Sequence, residues 1–217
     1  MYTRRFIISL SIWAISGLAL ATQKNVFTPD LTKLVSGTGW RIHNRTVTAL
    51  SETGKNGVRF DEQQGDGVAW LEGVKFSEGT IECDIRGKNV LQRRFVGIAF
   101  HGVSEKVFDA IYFRPFNFKN EDPVRRTHAV QYISHPAHTW SKLRSEYPLK
   151  YEQPVKPVPD PEGWFHARIV VANGKVSVFV NDAREPSLVI TKLNNRTDGM
   201  IGFWVGTTSG GDFANLK

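Results

Sequence analysis

From Trp40 onward, apolar and polar residues alternate with a period of two, which predicts strands with one buried face and not helices. Thr80–Arg86 is the clearest run: Ile81, Cys83 and Ile85 point one way, and Glu82, Asp84 and Arg86 the other. Phe95–His101 predicts a second strand. Val96, Ile98 and Phe100 share one face, while Phe95, Gly97, Ala99 and His101 share the opposite one. In Ala110–Arg114, Ile111 and Phe113 are core positions and Tyr112 and Arg114 face away. Ala129–Ser134 is a shorter candidate. Phe165–Val171 and Lys175–Val180 are β-branched runs joined by Ala172-Asn173-Gly174. Asn-Gly predicts a hairpin there, because a type I′ turn needs positive φ at both central positions. Met200–Val205 ends the series. No stretch predicts an amphipathic helix longer than about two turns. Many short strands with Gly- and Asn-rich turns predict an all-β fold, a two-sheet antiparallel jelly-roll sandwich.

Two segments depart from this rhythm. The first, Met1–Ala21, sets Arg4 and Arg5 before an apolar run from Phe6 to Leu20 and closes on Ala19-Leu20-Ala21. A basic flank, an apolar centre and an A-x-A ending read as a secretory signal peptide cleaved after Ala21. The run is short for a bilayer span, which needs about 20 apolar residues. The expectation is therefore a secreted or periplasmic protein, with no membrane span after cleavage and one domain over 22–217. The second, His135–Gly163, holds six of the ten prolines. Proline removes a ladder donor, so Gln153–Pro161 is no central strand. A connection of this length is a functional or a disordered loop, and Trp140, Tyr147 and Tyr151 argue for packing or binding.

Composition changes the picture in three ways. At 217 residues, 41% hydrophobic and 23% charged, the chain is globular and sized for one domain. Its single cysteine, Cys83, excludes an intrachain disulfide framework and a Cys-based zinc site, and alternates with core residues as a buried small hydrophobe. The formal charge of +7 is scattered, as in Arg93-Arg94 and Arg125-Arg126. That suits a solvated surface or attraction to anionic polymers at a cell surface. No nucleic-acid motif is present, and an exported protein meets oligosaccharides and polysaccharides far more often.

Several stretches resemble a concanavalin A-like (laminin G-like) jelly roll. They are Gly67-Val68-Ala69-Trp70-Leu71, Phe76–Ile85, Phe95–His101 and Ile111-Tyr112-Phe113-Arg114-Pro115. Trp164–Ile169 with Lys175–Asn181 resembles the late hairpin, and Gly199–Trp204 with Phe213–Lys217 the closing strands. The resemblance covers roughly residues 60–217. It implies one convex and one concave sheet, with saccharides on the concave face. The superfamily includes lectins, laminarinase-like glucanases and a bacterial group of 3-keto-disaccharide hydrolases.

Glycosidases of ordinary mechanism need two carboxyls flanking the scissile bond. Glu82 and Asp84 share a strand face at roughly 7 Å, and resemble the start of the laminarinase-like Glu-x-Asp-x-(x)-Glu motif. Arg86 stands where the last acid would fall, and arginine cannot donate a proton at neutral pH. The motif is broken. A second group is His101, Tyr112, Arg114 and Gln131 on neighbouring strands, with Gly97 and Ala99 as the floor of a groove. An aromatic ring beside an arginine and an amide suits a sugar, whose C–H faces pack on the ring while its hydroxyls meet the polar groups. Trp204 is a candidate platform and Arg86 a further binding residue.

His128, His135 and His138 match no zinc spacing, so no metal site is expected. The fold analogy alone would allow a structural calcium through Asp84 or Asp109, and no cofactor is implied. Asn44-Arg45-Thr46 and Asn195-Arg196-Thr197 fit the N-glycosylation triplet. The sequence leans away from an enzyme and toward an exported, lectin-like, carbohydrate-binding jelly roll. One alternative is a glycosidic-bond-cleaving hydrolase or lyase of non-standard mechanism, using Glu82, Asp84 and His101. There a keto group acidifies the neighbouring C–H, and one base with an electrophile replaces the acid pair. The other is a structural or protein-interaction domain.

Overall fold

The computed structural model describes residues 25–52 and 54–217, so the expected signal peptide lies outside the described residues. The strands in chain order are β1 (Trp40–His43), β2 (Val47–Glu52), β3 (Lys55–Gln63), β4 (Gly67–Leu71), β5 (Gly79–Arg86), β6 (Val96–Ser104) and β7 (Val107–Phe113). They continue with β8 (Val130–His135), β9 (Glu152–Gln153), β10 (Phe165–Ala172), β11 (Lys175–Val180), β12 (Leu188–Thr191), β13 (Met200–Val205) and β14 (Ser209–Ala214). Short helices α1 (Thr32–Val35), α2 (Pro123–Arg126) and α3 (Trp140–Glu146) decorate them. Among the described residues no helix is long and apolar enough to cross a membrane.

The strands form two seven-stranded antiparallel sheets. The first runs β1-β4-β13-β6-β7-β8-β9 and the second β12-β11-β10-β5-β14-β3-β2. This is the expected all-β jelly-roll sandwich. The alternating runs supply its core: Ile81, Cys83 and Ile85 of β5, Ile98 of β6, Ile111 and Phe113 of β7, and Ile169 of β10 are all buried. Aromatic pairs knit the two sheets together. Phe203 (β13) stacks on Phe213 (β14) at 4.6 Å between ring centroids, and Phe113 (β7) meets Phe165 (β10) edge-on at 4.9 Å. The Asn-Gly hairpin forms as expected: Asn173 and Gly174 have φ of 51° and 71°, and Ala172 pairs with Lys175.

The two sheets differ on their outer faces. In β10 and β11, buried positions alternate with partly or fully exposed ones, so the second sheet wets its outer face. In the first sheet, β4, most of β6 and β7, and β8 up to Ser134 are buried on both faces. Residues of 114–128 and of 139–144 wall that outer face. The Pro-rich loop is thus ordered: it carries α3 and the short edge strand β9, and buries Tyr151 and Val155.

Candidate functional site

Cross-strand partners in a sheet share a face. Along the middle of the first sheet one such row reads Val68, Trp204, Gly97, Tyr112, Gln131 and Glu152. It points away from the inter-sheet core. Strands two apart are separated by about 9.6 Å, yet the Trp204 and Tyr112 rings lie 5.1 Å apart. They meet because Gly97 between them has no side chain. A Cβ there would collide with Ile111 O and sit 2.7 Å from Tyr112 Cβ. Gly97 and Ala99 are therefore not a bare groove floor: the flanking rings close over Gly97 and form the floor themselves.

Arg114 follows β7 and turns back over this row. Its Nη2 donates to Tyr112 Oη and Gln131 Oε1 at 2.5 Å each, and its Nη1 to His128 O at 2.8 Å. Tyr112 Oη donates to Gln131 Oε1 at 2.9 Å. Beneath the loop walls Glu152 is 1% exposed. It accepts from Arg144 at 2.7 and 2.9 Å, faces His128 Nδ1 at 2.9 Å, and lies 3.8 Å from Arg114. Burial pushes the Tyr112 phenol up to about 12, against the pull of Arg114, so it stays protonated at neutral pH. Burial also lowers His128, with Glu152 opposing.

Above this floor opens a groove of about 820 Å³, within the range of small-molecule sites. Tyr112, Arg114 and Trp204 line its base, whereas Gln131 sits behind them and holds their hydroxyl and guanidinium. One wall comes from α2, which starts where the Asp122 side chain caps Val124 N at 2.8 Å with Pro123 in the first turn. α2 contributes Val124 and Arg125, and the turn after it His128. The other wall comes from α3, capped by Thr139, and contributes Trp140 and Arg144. Trp140 is 50% exposed at the groove, with the Arg144 guanidinium 5.1 Å from its ring centre. Trp204 Nε1 and Asn117 Oδ1 are buried at the groove without a hydrogen-bond partner among the described residues.

The other sequence candidates lie elsewhere. Alternation places His101 beside Gly97 and Ala99, but the β6–β7 ladder shifts register between Phe100 and Ser104. His101 takes φ of 49° at this bulge, and its ring leaves the groove face. It sits 1% exposed, with Nε2 2.7 Å from Ser77 O, Nδ1 2.6 Å from Lys192 Nζ, and Asp109 at 3.6 Å. Glu82 and Asp84 lie on the outer face of the second sheet, opposite Arg168 and His166. Glu82, Asp84 and His101 thus belong to different sheets, and no single cleft gathers them. Arg86 is also on that outer face and does not line the groove. Its guanidinium is bound to Asp212 at 2.6 Å and to Glu52 at 2.7 and 2.9 Å, and lies 4.7 Å from the Trp164 ring centre.

The two calcium candidates do not fit a cation. Asp84 accepts from Lys55, from Asn215 at 2.6 Å, and faces His166 at 2.8 Å. Asp109 accepts from Tyr132, Asn194 and Arg196 at 2.6–2.9 Å. Positive side chains take the place a calcium would need. Among the described residues no three His, Cys, Asp or Glu side chains gather as metal ligands.

No protein-family model and no curated protein sequence matches the chain. Solved structures do match by shape. The carbohydrate-binding module CBM66 from Bacillus subtilis superposes with a TM-score of 0.59 at 16% identity, over 82% of this chain and 94% of that one. A Bacillus subtilis protein of unknown function with a galectin-like fold gives 0.51 at 12%, over 82% and 87%. The VIP36 exoplasmic/lumenal domain, in its Ca2+/Man3GlcNAc-bound form, gives 0.50 at 12%, over 82% and 81%. At such identities the likeness is one of fold: this chain is a two-sheet jelly roll of the kind seen in these proteins.

Proposed function

We propose that this chain is an exported carbohydrate-binding protein that holds an oligosaccharide in the groove over the first sheet, the concave side of the jelly roll. One observation carries the reading. The groove combines a half-exposed Trp140, a floor of Tyr112 and Trp204, and the fixed polar groups of Arg114, Asn117 and His128. A pyranose has apolar C–H faces and a rim of hydroxyls, and this set offers a partner to each. The solved neighbours support the reading by their descriptions, a carbohydrate-binding module and a domain with Man3GlcNAc bound.

Each sugar hydroxyl must exchange water for protein, so affinities in the millimolar to micromolar range are expected, about −4 to −8 kcal/mol. Isothermal titration against a panel of neutral and acidic oligosaccharides tests this, with Trp140→Ala as the control. Trp140 supports little packing, so the variant should keep its fold and lose roughly 10-fold in affinity. Product analysis after long incubation should recover the sugars intact. The proposal fails if no saccharide binds, or if binding ignores Trp140→Ala.

A further inference from the structure

We infer that the saccharide held in this groove carries a carboxylate, as a uronate does; the inference rests on the carbohydrate reading above. Three arginines line the groove (Arg114, Arg125 and Arg144) against one carboxylate, Asp66. The acid that neutralises part of this charge, Glu152, does not line the groove. It is buried behind and engaged by Arg144 and His128. An occupant therefore meets the Arg144 guanidinium and not the carboxylate that holds it.

Two of these guanidiniums have capacity left. Arg144 spends Nε and Nη2 on Glu152, while its Nη1 makes no hydrogen bond among the described residues. Its side chain is 33% exposed and lies over Trp140, so a sugar stacked on that ring reaches it. Arg125, on the opposite wall, makes no side-chain hydrogen bond among the described residues. It lies 3.8 Å from Asp122, and its side chain is 42% exposed. A planar guanidinium fork matches a planar carboxylate with two parallel bonds, whereas a hydroxyl takes one. A stacking tryptophan flanked by free guanidinium edges selects a ring with an anionic substituent over its neutral counterpart.

The test is isothermal titration of the full chain with tetragalacturonate, with the neutral galactose tetramer of the same linkage, and with that neutral tetramer sulfated. The expected result is roughly 10-fold tighter binding of tetragalacturonate than of either other sugar, since charge-assisted bonds are about twice as strong as neutral ones. Added sodium chloride should narrow that gap. Arg125→Gln, an exposed change that leaves the core alone, should weaken tetragalacturonate several-fold and the neutral tetramer less, so that the gap between them narrows. Equal affinity for charged and neutral tetramers overturns the inference and leaves the carbohydrate reading standing. Tighter binding of the sulfated sugar overturns the carboxylate assignment. Absence of binding to all three while a neutral sugar of the wider panel binds overturns the inference alone; absence of binding to every sugar of that panel removes the carbohydrate reading, and the inference with it.

Discussion

Asp109 is fully buried, and burial works against its charge. Even so, His101, Arg196 and Tyr132 outweigh that cost and hold the carboxyl below the usual carboxylate range. Asp84 behaves alike: burial opposes its charge, and His166, Lys55 and Asn215 hold it well below that range. Asp212 follows through Arg59 and Arg86. A carboxyl depressed by folding adds stability that is fully present above its unfolded pKa of about 3.9 and is lost as pH falls through the folded value. The melting temperature should therefore be flat with respect to these groups above about pH 5 and fall steadily below about pH 4. Asp84→Asn should flatten that acid limb, which calorimetry across pH would show. Asp109→Asn leaves Arg196 and Lys192 facing a neutral group in a buried site, and should cost about 3–5 kcal/mol by urea titration.

At the scale of elements, close approach between strands decides the groove. Gly97 lets side chains from β13 and β7 meet across β6, so a side chain there would push Tyr112 and Trp204 apart. Gly97→Val should change tryptophan fluorescence and abolish the proposed saccharide binding; unchanged binding would show that the floor tolerates bulk. The β10–β11 turn is a contrasting case. Gly174 has φ of 71° and open space where a side chain would start, so Gly174→Val meets backbone strain without a clash. The expected cost is about 1–2 kcal/mol, read by urea titration, with binding intact because the hairpin belongs to the other sheet.

For the whole molecule, the sandwich is held by the aromatic column between its sheets. Phe203 touches Trp40, Phe60 and Phe213, three strands and both sheets at once. Phe203→Ala should cost about 3–5 kcal/mol. Because the two sheets share one core, calorimetry should still show a single transition, shifted down. Two separate transitions would mean that the sheets unfold independently.

Period-two alternation carries the fold by itself, because a strand half-buried in a sandwich must repeat its burial every second residue. It placed Tyr112 and Arg114 away from the core, and Asn-Gly placed the hairpin at Asn173-Gly174. Local chemistry suffices for such features. It could not say which outer face is walled, since the walls come from 114–128 and 139–144, far from β13 in the chain. Trp140 was visible only as an aromatic in a Pro-rich loop, and Glu152 carried no signal at all. Glu82, Asp84 and Arg86 share a face as the pattern requires, but that face belongs to the second sheet. His101 left its predicted side because a bulge resets the register, and its partners Asp109 and Lys192 lie 8 and 91 residues away. Periodicity tells which residues share a face. Which faces meet depends on strand order, and long-range pairing alone sets that.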